Sequence, residues 1–270
     1  MKETSLLDQL EGRWALVTGA SAGIGREFCH QLAAAGLHLV AVARRRPLLE
    51  ALARELEEAH GVRCLPLEGD LRLAETPQRL LEAVEAQGIE IALLVNNAGV
   101  GRWGPFEASG LDDLTASLEV DALAPVALCH RFHHHLKRQA PAAAVINVSS
   151  QAALQPVPYM AVYGAAKACL HHFSLALYEE WREQGIHVQT LVPGPTQSEF
   201  DDKAGAYQSK ITRRDPPAKA VRASLAGLRP GRPLVVSVRG TYTQRLFAAL
   251  FPAKMVTREV AKLFRPPSRS

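Results

Sequence analysis

The sequence predicts a doubly wound α/β fold, with about seven parallel strands and helices on both faces of the sheet. Short runs rich in Val, Leu and Ile alternate along the chain with longer segments of helical periodicity. Consecutive apolar positions within the short runs are typical of strands that are buried on both faces of a parallel sheet. The 270 residues are 47% hydrophobic and 21% charged, which suits a single globular domain spanning residues 1–270.

The elements can be placed in order along the chain. The predicted strands are residues 14–18, 37–43, 62–67, 91–95, 144–148, 187–192 and 233–238. The predicted helices are residues 23–35, 47–60, 74–87, 112–138 and 159–184, and Gly36, Gly61, Gly88 and Gly185 follow four of them, as helix-ending glycines do. Because ligands of such sheets bind beyond the carboxyl ends of the strands, we expect the functional residues directly after each strand.

A glycine-rich loop joins the first strand to the first helix. It reads Thr18-Gly19-Ala20-Ser21-Ala22-Gly23-Ile24-Gly25. Gly19 permits a tight turn, Gly23 lets the backbone approach a pyrophosphate, and Gly25 lets the helix pack closely on the strand. The helix N-terminus offers N–H groups and a positive dipole end. The position favours a dinucleotide site, although a purely structural turn would have the same composition.

Arg44, Arg45 and Arg46 follow the second strand, at the place that faces the adenosine ribose in dinucleotide folds. No acidic residue occurs between Gly36 and Arg46. An acidic residue there accepts from the ribose 2′-hydroxyl of NAD, whereas an arginine binds the 2′-phosphate of NADP. We therefore expect NADP(H), bound by Arg44 and Arg45. The alternative is a solvated basic start to helix 47–60.

Tyr163 and Lys167 lie four residues apart in a predicted helix, so their side chains emerge on one face. A tyrosine titrates near ~10 and is a poor acid or base at neutral pH. A neighbouring lysine cation stabilises the phenolate and lowers that pKa. The pair is suited to general acid/base chemistry, with Tyr163 as the reacting group.

These motifs together resemble the short-chain dehydrogenase/reductase family over about residues 10–200. The loop matches the family's Thr-Gly-x-x-x-Gly-x-Gly, and Asn96-Asn97-Ala98-Gly99, Ser150 and Tyr163-x-x-x-Lys167 match its other motifs. The resemblance implies a Rossmann fold and a hydride transfer between a nicotinamide and a carbonyl or hydroxyl carbon. It also implies that Ser150 hydrogen-bonds the reacting oxygen and that Lys167 holds the nicotinamide ribose.

The same resemblance extends the coenzyme site to further residues. In order of sequence these are Gly19, Ser21, Ala22, Gly23, Ile24, Gly25, Arg44, Arg45, Asp70, Leu71, Asn97, Ala98, Gly99, Tyr163, Lys167, Pro193, Gly194, Thr196 and Ser198. Asp70 and Leu71 match the family's adenine contact, and Thr196 would offer backbone groups to the carboxamide. Ser198 stands where the family usually has a threonine.

One position departs from the family. Relatives carry an asparagine in helix 112–138 that holds a water for the proton relay, and Asp121 occupies that position here. A carboxylate only accepts hydrogen bonds, and its charge would pair with Lys167 and raise the pKa of Tyr163. We expect the proton relay to work with Asp121, and the enzyme to have a more alkaline pH optimum than one with asparagine at this position. A protonated or solvent-bridged Asp121 without kinetic effect is the alternative.

Charge is unevenly distributed. Residues 1–200 hold 16 Lys/Arg and 23 Asp/Glu, whereas residues 201–270 hold 15 and 4. Residues 241–265 read as an amphipathic helical extension, with apolar residues at near-helical spacing and Pro252 between two pieces. It either packs on the domain or a partner subunit, or lies on an anionic membrane.

Location, partners and substrate are predicted more coarsely. The four cysteines are widely spaced, no secretory signal or membrane span is evident, and we expect a cytoplasmic protein, peripheral to a membrane if 241–265 binds lipid.

One helix contains four histidines, His130, His133, His134 and His135, whose spacing suits zinc. No acidic ligand is grouped with them in the sequence, so no metal is expected.

The resemblance implies a homodimer or homotetramer and a small-molecule substrate, with no nucleic acid. Residues 151–162 are mostly apolar, and we expect residues 197–214 to form a lid whose far end holds Lys210, Arg213 and Arg214. This favours an apolar ketone or a 3-oxoacyl thioester. The rival hypothesis is a catalytically weak NADP-binding scaffold or redox sensor, motivated by Asp121.

Overall fold

Seven parallel strands form one sheet in the order β3-β2-β1-β4-β5-β6-β7. A computed structural model describes residues 5–205, 213–238 and 240–267. The strands are β1 (Trp14–Thr18), β2 (His38–Ala43), β3 (Cys64–Glu68), β4 (Ile91–Asn96), β5 (Ala143–Val148), β6 (Ile186–Val192) and β7 (Leu234–Val236). The predicted doubly wound Rossmann fold is confirmed. The strand order reverses between β1 and β4, which is where such sheets bind their ligands.

Helices cover both faces of the sheet. They are α1 (Leu6–Gln9), α2 (Gly23–Ala34), α3 (Arg46–His60), α4 (Thr76–Glu85), α5 (Leu111–Leu118), α6 (Ala124–Gln139), α7 (Ala161–Arg182), α8 (Phe200–Ala204), α9 (Pro217–Ala226), α10 (Thr241–Leu250) and α11 (Ala253–Phe264). One apolar cluster includes Phe28, Leu49 and Val221 of α2, α3 and α9, and a second includes Leu80, Phe132 and Trp181 of α4, α6 and α7. β5 and β6 are buried along their whole length, as expected of central strands in a two-sided core.

The helix predicted over residues 112–138 is interrupted. A single π-helical turn, Glu119–Leu123, separates α5 from α6. Pro125 lies in the first turn of α6, has no N–H to donate to the carbonyl of Asp121, and would clash with it in a regular helix. The widened turn accommodates this clash.

The segment 241–265 contains two helices. α10 ends at Leu250 and α11 begins at Ala253, with Pro252 between them. Val256 and Val260 of α11 are buried against Val157 and Met160. The inner face of α11 therefore packs on the domain, close to the carboxyl ends of the strands.

Candidate active site

A cavity of about 1170 Å³ opens at the carboxyl ends of the strands. It is lined by the segments that follow β1 to β6, as the topology requires. Nearly every residue predicted for the site lines it: Gly19, Ser21, Ala22, Gly23, Ile24, Arg44, Arg45, Asp70, Leu71, Asn97, Ala98, Gly99, Ser150, Tyr163, Lys167, Pro193, Gly194, Thr196 and Ser198. Gly25 and Asp121 lie behind this lining.

The glycine loop leads directly into α2. Gly19 and Gly23 have φ of +70° and +55°, a conformation that L side chains rarely adopt. A Cβ on Gly25 would lie 2.3 Å from the Gly19 carbonyl oxygen and 2.4 Å from Asn97 Nδ2. Gly25 thus lets the loop, α2 and the segment after β4 approach one another, and the helix N-terminus behind it is suited to a pyrophosphate.

Thr18 ties the two central strands together at the switch point. Its Oγ1 accepts from the N–H groups of Asn97 and Ala98, each at 3.0 Å, while Asn97 Nδ2 donates to the Thr18 carbonyl at 2.8 Å. The Asn-Asn-Ala-Gly segment is therefore fixed against the glycine loop. Sequence reasoning did not assign this role to Thr18, because its partners are almost eighty residues away.

The two predicted phosphate ligands differ in their contacts. Arg44 is exposed on the cavity wall. Arg45 Nη2 donates to Ser21 Oγ at 3.0 Å and lies 2.9 Å from a carboxylate oxygen of Glu199. Arg45 thus bridges the glycine loop and the lid segment, and Glu199 is a site residue that the sequence analysis missed.

Asp70, which is predicted to contact the adenine ring, forms an ion pair with Arg72. The two charged groups lie 2.5 Å apart. The hydrogen bonds from Arg72 hold the pKa of Asp70 below its usual value, so the group is a fixed anion at this edge of the cavity. Leu71 beside it is buried.

Tyr163 and Lys167 lie on the first turns of α7, and Ser150 precedes a 3₁₀ turn, Gln151–Leu154, after β5. Lys167 Nζ lies 5.9 Å from the centroid of the Tyr163 ring. Ser150 Oγ accepts from the Ala152 N–H at 3.1 Å, which fixes its side chain. The predicted catalytic residues therefore meet in one cavity, beside the loop that suits a dinucleotide.

The protonation of Tyr163 is set by opposing influences. Burial raises its pKa, and the Lys167 cation and the Ser150 hydroxyl lower it. The negative charges of Asp121 and Asp201 raise it further, and the net result is a pKa above the usual value for tyrosine. Burial is the largest cause, and the charge of Asp121 adds to it.

Asp121 is completely buried and pairs with Lys167. Its Oδ1 lies 2.8 Å from Lys167 Nζ, and its Oδ2 accepts from the Val100 N–H at 3.1 Å. Lys167 Nζ also donates to the Val148 carbonyl at 2.9 Å. Burial raises the pKa of Asp121. Burial lowers the pKa of Lys167, but the charges of Asp121 and Tyr163 and the hydrogen bond to Asp121 together outweigh it, so the lysine stays protonated.

Apolar side chains form the far wall of the cavity. Ala152, Val157 and Met160 come from the predicted pocket segment, and Phe200 packs against Tyr163 with the ring centroids 5.1 Å apart and the planes tilted by 47°. The C-terminal helices complete this wall with Phe247, Val260, Leu263 and Phe264. Their helical periodicity predicts a packed face, but nothing local in the sequence identifies the surface that they cover.

Two polar contacts fasten the C-terminal helices to the site. Trp103 Nε1 donates to the Phe264 carbonyl at 2.8 Å, and Gln151 Nε2 donates to Thr241 Oγ1 at 2.8 Å. In the lid, Arg214 pairs with Asp201. The predicted lid residue Lys210 lies outside the described residues.

The histidine cluster has an acidic neighbour that the sequence analysis did not find. Glu85 of α4 lies 3.0 Å from His134 Nε2 and 3.4 Å from His135 Nε2. However, the Nδ1 atom of His135 accepts from the Ile91 N–H at 3.3 Å. In a neutral imidazole this places the proton on Nε2, the atom that faces Glu85 and that a metal would need. The arrangement favours a hydrogen-bonded helix contact.

Comparisons with known proteins agree on one family. The family model described as short chain dehydrogenase matches residues 13–208. A short chain dehydrogenase of Pseudocercospora fijiensis is 36% identical over 194 residues, which are 71% of this chain and 62% of that protein. A very-long-chain 3-oxoacyl-CoA reductase of Neurospora crassa is 33% identical over 187 residues, which are 67% and 55% of the two chains.

A solved structure matches along nearly its whole length. It is a short-chain dehydrogenase from Sphingobium yanoikuyae in complex with NADPH, with a TM-score of 0.78 at 25% identity. The match covers 96% of this chain and 98% of that one. The two curated relatives above, in contrast, are matched over only 62% and 55% of their own lengths.

Proposed function

The chain belongs to the short chain dehydrogenase family, and from that premise we propose that it is an NADPH-dependent oxidoreductase. The proposed reaction is the reduction of an apolar ketone, or the reverse oxidation of the alcohol. The observation that carries the proposal is the convergence of Ser150, Tyr163 and Lys167 in the cavity that the glycine loop also lines.

NADP(H) is the coenzyme that the residues of the cavity favour. Arg44 and Arg45 follow β2, where guanidinium groups match the geometry of a ribose 2′-phosphate. The NADPH bound to the Sphingobium relative agrees with this preference. Glu199 opposes it in part, because its carboxylate competes for Arg45.

The chemistry divides between the coenzyme and the protein. A bound nicotinamide supplies or accepts the hydride. Tyr163 gives its phenolic proton to the carbonyl oxygen of a ketone, or removes the hydroxyl proton of an alcohol. Ser150 hydrogen-bonds the same oxygen. The Lys167 cation stabilises the phenolate that Tyr163 becomes in the reductive direction, which lowers the barrier to that proton transfer.

Asp121 moderates this arrangement. Its carboxylate neutralises part of the charge that Lys167 presents to Tyr163. We propose that Asp121 holds Lys167 in place and takes the position of the relay asparagine at the cost of a more alkaline working range. It acts through Lys167, since it does not line the cavity.

The substrate is proposed to be an apolar ketone or a 3-oxoacyl-type compound. The wall facing Tyr163 is built of aliphatic and aromatic side chains, which bind an apolar body by burial. The rim also carries Lys203, Arg214 and Lys262, but each of them pairs with a carboxylate, that of Glu199, Asp201 or Glu259, so the rim favours no particular charge on the substrate. The 3-oxoacyl class is proposed because the Neurospora relative is named for such a substrate.

The proposal is tested by following NADPH oxidation with a panel of apolar ketones and 3-oxoacyl thioesters. Turnover should appear with part of the panel, and Tyr163→Phe should lower kcat by roughly 10² to 10⁴, the usual contribution of a general acid. Tight NADPH binding by the wild type without turnover on any panel member would instead support the alternative, a catalytically weak NADP-binding scaffold or redox sensor. The Asp121–Lys167 pair is the observation that favours this second candidate.

A further inference from the structure

The outer side of the C-terminal helices exposes five large apolar side chains. Leu246 and Leu250 of α10 are 57% and 69% exposed, and Phe251, Met255 and Leu263 are 42%, 43% and 49% exposed. We call these five residues, with Lys254, Arg258, Lys262 and Arg265, the C-terminal surface. Exposed large apolar side chains that recur along one segment, with cations among them, indicate an interaction site.

The charge of this surface has one sign. All four of its cations are exposed. Among residues 253–267 the one acidic side chain, Glu259, pairs with Lys262 at 2.6 Å. Residues 1–200, in contrast, carry an excess of acidic residues. The surface is therefore complementary to an anionic partner with an apolar interior.

The same helices form the wall of the active-site cavity. Val256 and Val260 face inward against Val157 and Met160, and Phe264 is fastened to Trp103. Lys262 and Leu263 belong both to the C-terminal surface and to the cavity lining. The cavity rim is therefore continuous with the C-terminal surface.

We propose that the C-terminal surface docks on an anionic lipid bilayer, with the cavity rim against the membrane. The two helices would lie at the membrane interface, with the five exposed apolar side chains of the C-terminal surface among the acyl chains and its cations at the headgroups. Among the described residues, no helix has the length and apolar content that a bilayer crossing requires. Entry of an apolar substrate from the membrane is a corollary that rests on the proposed function, whereas docking itself does not.

A second copy of this chain fits the surface less well. A two-fold contact would place the same patch on both sides of the interface. The cations would then lie against the same cations of the second copy, and the one carboxylate among residues 253–267, Glu259, already pairs with Lys262. A lipid headgroup layer supplies the missing negative charge.

The test is co-sedimentation of the full chain with vesicles of phosphatidylcholine alone and with about one-third phosphatidylglycerol. Two double variants address the surface: Leu246→Ser with Leu250→Ser, and Lys254→Glu with Arg258→Glu. None of these residues lines the cavity. Leu48→Ser with Leu73→Ser is the matched control, since those leucines are 42% and 45% exposed elsewhere on the surface. Circular dichroism and NADPH binding establish that each variant is folded.

The wild type and the control should pellet with the anionic vesicles and much less with the neutral ones. Each cation is worth roughly a fivefold change in affinity for an anionic bilayer, so the charge-reversal variant should bind more than ~10-fold more weakly. The serine variant should bind more weakly at both compositions.

Equal pelleting by wild type and both surface variants would overturn the proposal. So would a serine variant that loses mass in light scattering but keeps its vesicle binding, because the surface would then join two copies. Both measurements are independent of turnover, so a failed activity assay leaves this result interpretable.

Discussion

Asp121 is the residue whose chemistry most distinguishes this active site. It places a carboxylate 2.8 Å from Lys167 in a completely buried position. A buried ion pair of this kind is costly to break, because removing one partner leaves the other charge without compensation. Oδ2 is also occupied by the Val100 N–H, so the carboxylate has a fixed orientation. The residue therefore contacts Lys167 directly and adds a negative charge to the surroundings of Tyr163.

Asp121→Asn should shift the pH dependence of alcohol oxidation to lower pH. The amide keeps the acceptor for Val100 but removes a negative charge that raises the pKa of Tyr163, so the pKa of the phenol falls while Lys167 keeps its proton. Oxidation requires the deprotonated tyrosine, and its rate should therefore rise at a lower pH than in the wild type. Rate profiles against pH for the two proteins measure the shift. Superimposable profiles would show that Asp121 does not influence the phenol.

Arg44→Asp should move the coenzyme preference toward NADH. The change removes a charge-assisted bond to the 2′-phosphate and adds an acceptor for a 2′-hydroxyl. Such bonds contribute about 1.5–3 kcal/mol, so kcat/KM for NADPH should fall roughly 10- to 100-fold. Arg46→Asp is the matched control, because Arg46 pairs with Glu50 and does not line the cavity. An unchanged ratio of the two coenzymes in the Arg44 variant would place the phosphate elsewhere.

Residues within contiguous motifs could be predicted from the sequence, and residues that act through distant contacts could not. Tyr163 and Lys167 share one helix face, and the spacing alone predicts this. Glu199 reaches Arg45 across more than 150 residues, and Glu85 reaches His134 across 49. Neither contact has a local signal, since each depends on how the strands are ordered in the sheet.

At the scale of elements, the lid is joined to the nucleotide loop by the Arg45 bridge. Glu199→Gln should tighten NADPH binding and leave NADH binding nearly unchanged. Side chains exposed at 39% and 45% form a bridge worth about 0–1 kcal/mol. Losing the bridge therefore costs little binding free energy. We expect the removal of a carboxylate beside the proposed 2′-phosphate site to stabilise bound NADPH by more than this cost. Fluorescence titration should show a Kd for NADPH reduced by roughly fivefold.

Glu50→Gln is the control for this prediction. Glu50 pairs with Arg46, the neighbour of Arg45 at the start of α3, and its side chain is about as exposed as that of Glu199. Its coenzyme affinities should match those of the wild type. Weaker NADPH binding by Glu199→Gln would mean instead that the bridge stabilises the closed lid around the coenzyme.

Strand β6 contains a buried histidine that should limit stability in acid. Burial lowers the pKa of His187 from 6.5 to about 4. As the pH falls below 6.5, the unfolded chain takes up a proton that the native protein does not bind. The native state should therefore lose on the order of 3 kcal/mol between these two values. Urea unfolding of His187→Gln should show a flatter dependence on pH, whereas exposed His60→Gln should follow the wild type.

The elements differ in how well the sequence predicts them. Strands and helices of strong periodicity fall within a few residues of their predicted ends, as in α3, where Gly61 adopts a left-handed conformation after the last turn. The π-helical turn at Glu119–Leu123 was missed, although Pro125 was a visible signal. Helical periodicity treats a helix as regular and cannot register a single wider turn.

At the scale of the whole molecule, a second exposed apolar surface is surrounded by charges of both signs, unlike the cationic C-terminal surface. Leu118, Leu123 and Val126 are 40%, 63% and 38% exposed on α5, the π-helical turn and α6. Exposed alanines of α7, such as Ala165 and Ala176, allow a neighbouring helix to approach closely. Charges of both signs surround these helices, including Glu119, Arg131 and Glu179, so a two-fold contact can pair opposite charges. We propose that this face joins the subunits of a homodimer or homotetramer.

Leu123→Lys should convert that oligomer to a smaller species. A two-fold axis would bring two buried lysines together, which costs far more than the loss of a single apolar contact. Light scattering after size-exclusion chromatography gives the mass, and NADPH binding establishes that the site beside the π-helical turn is intact. Leu73→Lys is the control, since Leu73 is 45% exposed on another part of the surface. An unchanged mass in the Leu123 variant would exclude this face and leave α5 to α7 free in solution. The vesicle experiment and this one therefore assign the two apolar surfaces separately, one to lipid and one to a second copy.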